Sequence, residues 1–523
     1  MTATMAPAPE ARIGMRFVVE RPPVGALWRR ALLRAALVPL VVLAPITALA
    51  PTADHKYNVY WHGGLFRDDP LRIVPHTLDS LPGYLRNGNF RPLGRMLEKS
   101  VDLLAYALGD VLGLPVNVAF RLVSIVAAML LGVAVLVLAE SVVTRGRLFR
   151  TPPSTLAATL PFAVGAGLVA AGRSSPVVLF GGLYLSTAAL VLAVAAGVAR
   201  IGRIRVWWVP ALVAGGAALA AFNELTYLAL PLATVAAAAR GRWVLGRPWR
   251  RVLTAAPARA LALLWLGFLP VFLAVRVVIQ RYCAAGPCYH GSDVVPGPAA
   301  LTAFPVRMAA WFPPLMWQSA IRGGGALSGL VLVLALAVLA GLAWFALRDL
   351  RRLDAPPRAA AVALLVVAVA LVALGAGLAS LSADVQALVA AHRWGQGWRD
   401  TALVAPGGAL LLAAGAHLLR PRRLLLGGLI AALVAGAAVS ATVNKRFRDS
   451  VMASPIARLD DRLALEIADF DRTPAGAARR CALRAEFFAL NPGGTGLARR
   501  FDQSFDAAAE QRAGMPFCAR VTG

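Results

Sequence analysis

The chain has 523 residues, of which 59% are hydrophobic and 15% charged, and its mean hydropathy is +0.67. That is more apolar surface than a single water-soluble core buries, which excludes an ordinary soluble domain and indicates an integral membrane protein. The formal charge of +27 comes almost wholly from arginine, with lysine only at Lys56, Lys99 and Lys445; no basic stripe carries interleaved stacking aromatics, so nucleic acid is not expected as a partner.

A membrane-crossing helix needs about 20 mostly apolar residues, and about eleven such runs follow one another along the chain. They cover 31–50, 116–143, 156–171, 177–198, 206–222, 225–239, 260–279, 327–347, 359–378, 402–419 and 424–443. The first lacks a small-residue cleavage site in a good setting and reads as a retained anchor. The third, fifth and sixth are short, so one pair is a candidate hairpin that does not fully cross. The expected class is all-α and polytopic.

Arginine clusters recur between alternate runs: Arg145, Arg147 and Arg150; Arg200, Arg203 and Arg205; Arg240 to Arg251; Arg348, Arg351, Arg352 and Arg358; Arg420, Arg422 and Arg423. Loops of this kind are held on the cytoplasmic side of a plasma or inner membrane. The chain then divides into a cytoplasmic tail 1–30, a membrane domain 31–443 and an extracytoplasmic tail 444–523. The long interval 51–115, the turn at Asn223, and segments 281–325 and 380–401 fall outside. Cys283 and Cys288 share one outer loop, and Cys481 and Cys518 share the outer tail. An even count confined to the oxidising side predicts the disulfides Cys283–Cys288 and Cys481–Cys518, free buried thiols being the alternative.

Within the spans, Arg121, Glu140, Arg276 and His417 lie near helix ends, where long side chains reach the interface. The scarcity of acids and histidines at mid-bilayer depth argues against a pump or secondary transporter. Polar groups gather outside instead: Asp54, Asp68, Asp69, Arg91 and Arg95 in the first loop, Glu224 after Asn223, and His392, Arg393, Trp394, Arg399 and Asp400 later. A charged and aromatic headgroup belt is the plain reading of such residues. Arg91 would then bridge to Asp68 or Asp69, and Glu224 would cap a helix N-terminus. Segment 101–114 is amphipathic and is expected to lie along the interface with Asp102 and Asp110 facing water. His55, His62 and His76 invite a divalent metal, but their spacing matches no tight ligand motif, and no metal site is assigned. The tail has helical patterns at 456–470 and 477–490 and a turn at 491–494; it is too short for a catalytic domain of its own and reads as a small cap.

A cytoplasmic N-terminus, one span, a long outer loop with Asp68-Asp69, then Gly88-Asn-Phe-Arg-Pro-Leu93 and the amphipathic stretch resemble the GT-C superfamily of polyprenyl-phosphate-sugar-dependent glycosyltransferases. The resemblance implies a GT-C-like fold and transfer of a sugar, by inverting displacement, from a polyprenyl-phosphate donor to an extracytoplasmic glycan, glycolipid or protein. It implies a first-loop acid as general base, Asp69 before Asp68, with Asp54 the competitor. Donor phosphate would be met by Arg393 or Arg399, then Arg91 and Arg95, and the acceptor by Glu224, Trp394 and His392. No cofactor is required beyond a possible divalent ion. A transporter or flippase of lipid-linked precursors and a non-catalytic envelope assembly protein are the competing readings.

Overall fold

Apolar chain in lipid satisfies its backbone internally by forming helices, and the regular secondary structure of the described residues is helical, with one isolated bridge between Val294 and Ser382. A computed structural model describes residues 23–52, 54–286, 288, 294–322, 326–419, 423–492 and 494–518. The predicted cluster at Arg420 and Arg422 and most of the predicted tail 1–30 lie outside them.

In chain order the helices are α1 (Val24–Leu43), α2 (His55–Phe66), α3 (Ile73–Asp79), α4 (Leu81–Arg86), α5 (Pro92–Leu112), α6 (Val116–Val143), α7 (Leu156–Gly167), α8 (Gly181–Arg200), α9 (Trp208–Ala220), α10 (Ala229–Ala239) and α11 (Trp249–Leu253). There follow α12 (Ala256–Ala285), α13 (Pro298–Ala309), α14 (Pro313–Ile321), α15 (Gly329–Leu350), α16 (Arg358–Ser380), α17 (Ala383–Ala390), α18 (Thr401–Leu418), α19 (Arg423–Met452), α20 (Pro455–Ala468), α21 (Pro474–Leu490) and α22 (Thr495–Ala513). Among the described residues, seven are long and apolar enough to cross a membrane: α6, α8, α12, α15, α16, α18 and α19. The protein is an all-helical polytopic membrane protein.

The remaining apolar runs depart from the simple pattern for identifiable reasons. α1 begins earlier than the predicted 31–50 and takes in Arg29 and Arg30; Arg30 and the buried Arg34 both pair with Asp349 of α15. A single 3₁₀ turn at Ala44–Ile46, containing Pro45, closes it. α7 stops after Gly167, and the buried, non-helical segment 168–171 needs other partners for its backbone. Asn444 supplies them: its Oδ1 accepts from the Ala170 amide at 2.7 Å, and its Nδ2 donates to Leu168 and Val42 carbonyls at 2.9 and 3.0 Å. For this reason α19 does not end at residue 443 as predicted; it continues to Met452.

Two ends can be distinguished by contact. Arg200 and Arg240 both donate to the Thr144 carbonyl, Arg145 donates to Val244, and the Thr155 amide donates to Asp354, so the arginine-bearing loops gather at one end. At the other end the first loop meets segments 223–227, 276–279, 378–382 and 398–400. The alternation expected from charge is thus a physical grouping.

α2 to α5 make a layer on this second end, and α20 to α22 cover it. Tyr57, Tyr60, Tyr106 and Phe120 pack with Phe487, Phe501, Phe505 and Phe517 in a core separate from that of the membrane helices. The third cap helix, α22, was not foreseen. Its polar surface masks the pattern, while Phe501, Phe505, Ala508 and Ala509 bury one face against α2. Both predicted disulfides are present, Cys283–Cys288 with Cα atoms 5.2 Å apart and Cys481–Cys518 at 4.8 Å.

Candidate functional site

The segment from Gly88 to Arg95 explains itself residue by residue. Gly88 has φ +76°, and a Cβ there would stand 3.0 Å from Cys288 Sγ and 3.2 Å from Cys283 Sγ, so the turn needs glycine to pass the disulfide. Pro92 occupies the first turn of α5, where its missing N–H costs nothing. The next two amides, of Leu93 and Gly94, donate to the Ala221 and Phe222 carbonyls at 3.1 and 3.0 Å. The N-terminus of α5 therefore docks on the C-terminal end of α9, donors facing acceptors. A side chain at Gly94 would run into the Phe222 carbonyl.

This docking aims Arg91 at Glu224. The Arg91 guanidinium is buried, with Nη1 3.7 Å from Glu224 Oε2, and it also meets Tyr184. Asn223, not Glu224, caps the following turn: its Oδ1 accepts from the Leu225 and Thr226 amides at 2.9 and 3.4 Å. Glu224 is thereby left to face a cavity of about 110 Å³. Its other walls include Asn89, Arg276 of α12, Trp398 and Arg399, with Ile279 and Leu378 on the apolar side. Burial pushes the Glu224 carboxyl up, and the Arg91, Arg399 and Arg276 guanidinia outweigh it, holding the group below its ordinary range and ionised. Arg276 lies over the Tyr227 ring at 5.6 Å, and Arg399 over Trp398 and Tyr184 at 5.3 and 5.8 Å. Next to Arg399, the buried Asp400 accepts two bonds from Arg307 of α13, at 3.0 and 2.6 Å, which fixes the start of α18.

Behind this cavity a buried polar row runs along α5. Arg95 donates to Glu98 at 2.8 Å and lies over Tyr84. Burial raises the Glu98 carboxyl, but Arg95 and Arg91 hold it lowered. One turn on, Asp102 is wholly buried, with His55 Nδ1 and His62 Nδ1 3.2 and 2.7 Å from its two oxygens. It does not face water as predicted, because α2 covers it with two ring donors; Asp110 does reach the surface, paired with Arg67 and Arg512. Lys99 bonds Thr77 and His76, each at 2.9 Å. His55 and His62 thus share Asp102 while His76 meets Lys99, and among the described residues no group of three or more His, Cys, Asp or Glu is placed to hold a metal.

No protein-family model, curated protein or solved structure matches this chain.

The sequence candidates therefore separate. Arg399 and Glu224 line the cavity, Arg91 pairs with Glu224 without lining it, and Arg95 bonds Glu98 one turn along α5. Asp68 and Asp69 are exposed, Asp68 accepting from Gln511 of the cap at 3.3 Å, and neither lines the cavity. Arg91 does not bridge to them. Asp54 pairs with Arg500 at 2.9 Å. His392, Arg393 and Trp394 are exposed on a turn outside the cavity. Arg276, Tyr227, Tyr184 and Glu98 were missed. Arg276 falls inside an apolar run and resembles an interface anchor, but Arg91, Arg95, Glu98 and Asp102 recur every three or four residues, a spacing that places them on one helix face.

Arg121, Glu140 and His417 turn inward rather than reaching the interface. Arg121 is fully buried and donates to the Leu49, Ala50 and Val178 carbonyls at 2.9, 2.8 and 2.7 Å. Glu140 accepts from Ser154, and His417 bonds Thr155.

Proposed function

We propose that the protein is a GT-C-like membrane glycosyltransferase that moves a sugar from a polyprenyl-phosphate donor to an acceptor hydroxyl, its eleven apolar runs forming the membrane domain and the arginine-rich end facing the cytoplasm. The single observation that carries this reading is the Glu224 carboxylate, paired with the buried Arg91 and sharing with Arg276 and Arg399 a cavity that has apolar walls from membrane helices. Such a cavity suits an amphiphilic phosphate-linked substrate. In the reaction, the acceptor oxygen forms a bond to the anomeric carbon as the bond from that carbon to the phosphate oxygen breaks. The electron pair leaves on polyprenyl phosphate, the acceptor proton passes to Glu224, and configuration inverts. Arg276 and Arg399 meet the charge gathering on the departing phosphate. Asp400, held by Arg307, is a positioning residue for Arg399. The acceptor is a glycan, a glycolipid or a protein.

The test is transfer of labelled sugar from a polyprenyl-phosphate donor by the reconstituted protein. Glu224→Gln is expected to lose about 100-fold or more in turnover, while Asp68→Asn and Asp69→Asn keep wild-type rates. Full activity of Glu224→Gln would overturn the assignment of the base. One observation favours a second reading, a non-catalytic envelope assembly protein: Asp68 and Asp69 sit on an exposed loop facing no cavity. A wild-type protein that binds the donor and never releases polyprenyl phosphate would support it.

A further inference from the structure

A second cavity lies at the opposite, arginine-rich end, between α1 and α15, with a volume of about 960 Å³. Five guanidinium groups line it, those of Arg30, Arg34, Arg348, Arg351 and Arg352, against one carboxylate, Asp349. That carboxylate is already engaged twice: Arg34 Nη1 donates to Oδ2 at 2.5 Å and Arg30 Nη1 to Oδ1 at 3.2 Å. Arg34 is only 4% exposed, and its Nε is buried with no hydrogen-bond partner. Arg348, Arg351 and Arg352 are exposed, and Arg348 lies over the Trp344 ring at 4.9 Å.

Basic residues at a helix C-terminus and at the cytoplasmic edge of a span are common, because the helix dipole and the positive-inside bias both favour them. Neither effect calls for a groove or for a buried donor without a partner. The floor of this groove is aliphatic and aromatic, including Leu37 and Leu342, with Leu33 and Phe345 left 52% and 56% exposed. From it the unpartnered apolar side of α15 continues through Val338 and Leu334. A soluble phosphate would answer the guanidinia but leave the apolar floor in water. A molecule with an anionic head and hydrocarbon chains answers both.

We propose that the groove between α1 and α15 is a binding site for an anionic membrane phospholipid, its phosphodiester held by Arg348, Arg351 and Arg352 and one acyl chain lying along Leu33, Leu37 and Leu342. Charge complementarity selects the lipid class, since each basic group near a membrane surface favours an anionic headgroup over a zwitterionic one. The site is separate from the cavity at Glu224 and does not depend on the function proposed for it.

The full chain, reconstituted in nanodiscs of phosphatidylglycerol mixed with phosphatidylcholine and then released into detergent, is examined by native mass spectrometry. The expected result is one retained phosphatidylglycerol per chain, with retention about tenfold lower in the double variant Arg351→Gln, Arg352→Gln. Leu33→Trp, which fills the groove and leaves every guanidinium in place, is expected to lower retention as well. Both variants spare the Arg34–Asp349 pair, and an unchanged helical circular dichroism spectrum confirms that they fold. Equal retention of the two lipids, or equal retention by wild type and the arginine variant, overturns the proposal. Displacement of the lipid by millimolar inorganic phosphate also overturns it, in favour of a free-anion site.

Discussion

Asp460 shows how one carboxyl couples the cap to pH. It lies where α20 covers α2, facing Lys56, with Asp461 adjacent and Tyr57 and Tyr60 opposite. Burial, countered by Lys56 and reinforced by Asp461, pushes its pKa from the ordinary 3.8 up to about 7. Between those values the folded chain holds a proton that the unfolded chain has released. Its stabilising contribution is therefore fully present below about 3.8 and is lost as pH rises through about 7. The thermal midpoint attributable to this group should fall across that interval, and the slope should flatten in Asp460→Asn. A midpoint profile identical in wild type and variant would show that Asp460 is solvated. Glu224 is the opposite case, since arginines keep it ionised. It should therefore be available as a base well below neutral pH.

At the scale of elements, the docking of α5 on α9 is what sets Arg91 opposite Glu224. It rests on two backbone hydrogen bonds and on the absence of a side chain at Gly94. Gly94→Ala is expected to cost about 1–3 kcal/mol, because the methyl group meets a carbonyl rather than a flexible side chain, and to reduce sugar transfer together with thermal stability. Gly83→Ala in α4, where an added Cβ meets nothing within 4 Å, is the control and should be neutral or slightly stabilising. Equal melting of the two variants would remove the docking from the account. Part of this element was legible in the sequence: the motif Gly88 to Arg95 stands out and 101–114 reads as amphipathic, but the helix begins at Pro92, and the spacing that puts Arg91, Arg95, Glu98 and Asp102 on one face went unread. The direction of that face was not readable, because an amphipathic helix with acids on one side looks solvated until a second helix supplies His55 and His62 to cover it.

For the whole molecule, introduced thiols test the orientation directly. All four cysteines are in disulfides, so an introduced thiol is a unique target. Arg458→Cys in the cap should react with an impermeant maleimide on intact cells, and Arg251→Cys at the arginine-rich end only after lysis; both positions are exposed. The reverse pattern would invert the topology. Hydropathy, arginine spacing and cysteine placement, all local properties of the chain, determined that this is a polytopic helical membrane protein with two grouped sets of loops and two disulfides. Only the tertiary structure decided which polar residues share a cavity. Glu224 meets Arg91, Arg276 and Arg399, residues far apart in sequence, because docked helix ends bring four segments together, while the adjacent pair Asp68-Asp69, the strongest local signal, lies on a turn that water reaches. Adjacency along the chain is fixed by covalent bonds, whereas convergence at a site is fixed by packing, and a single sequence records the first far more directly than the second.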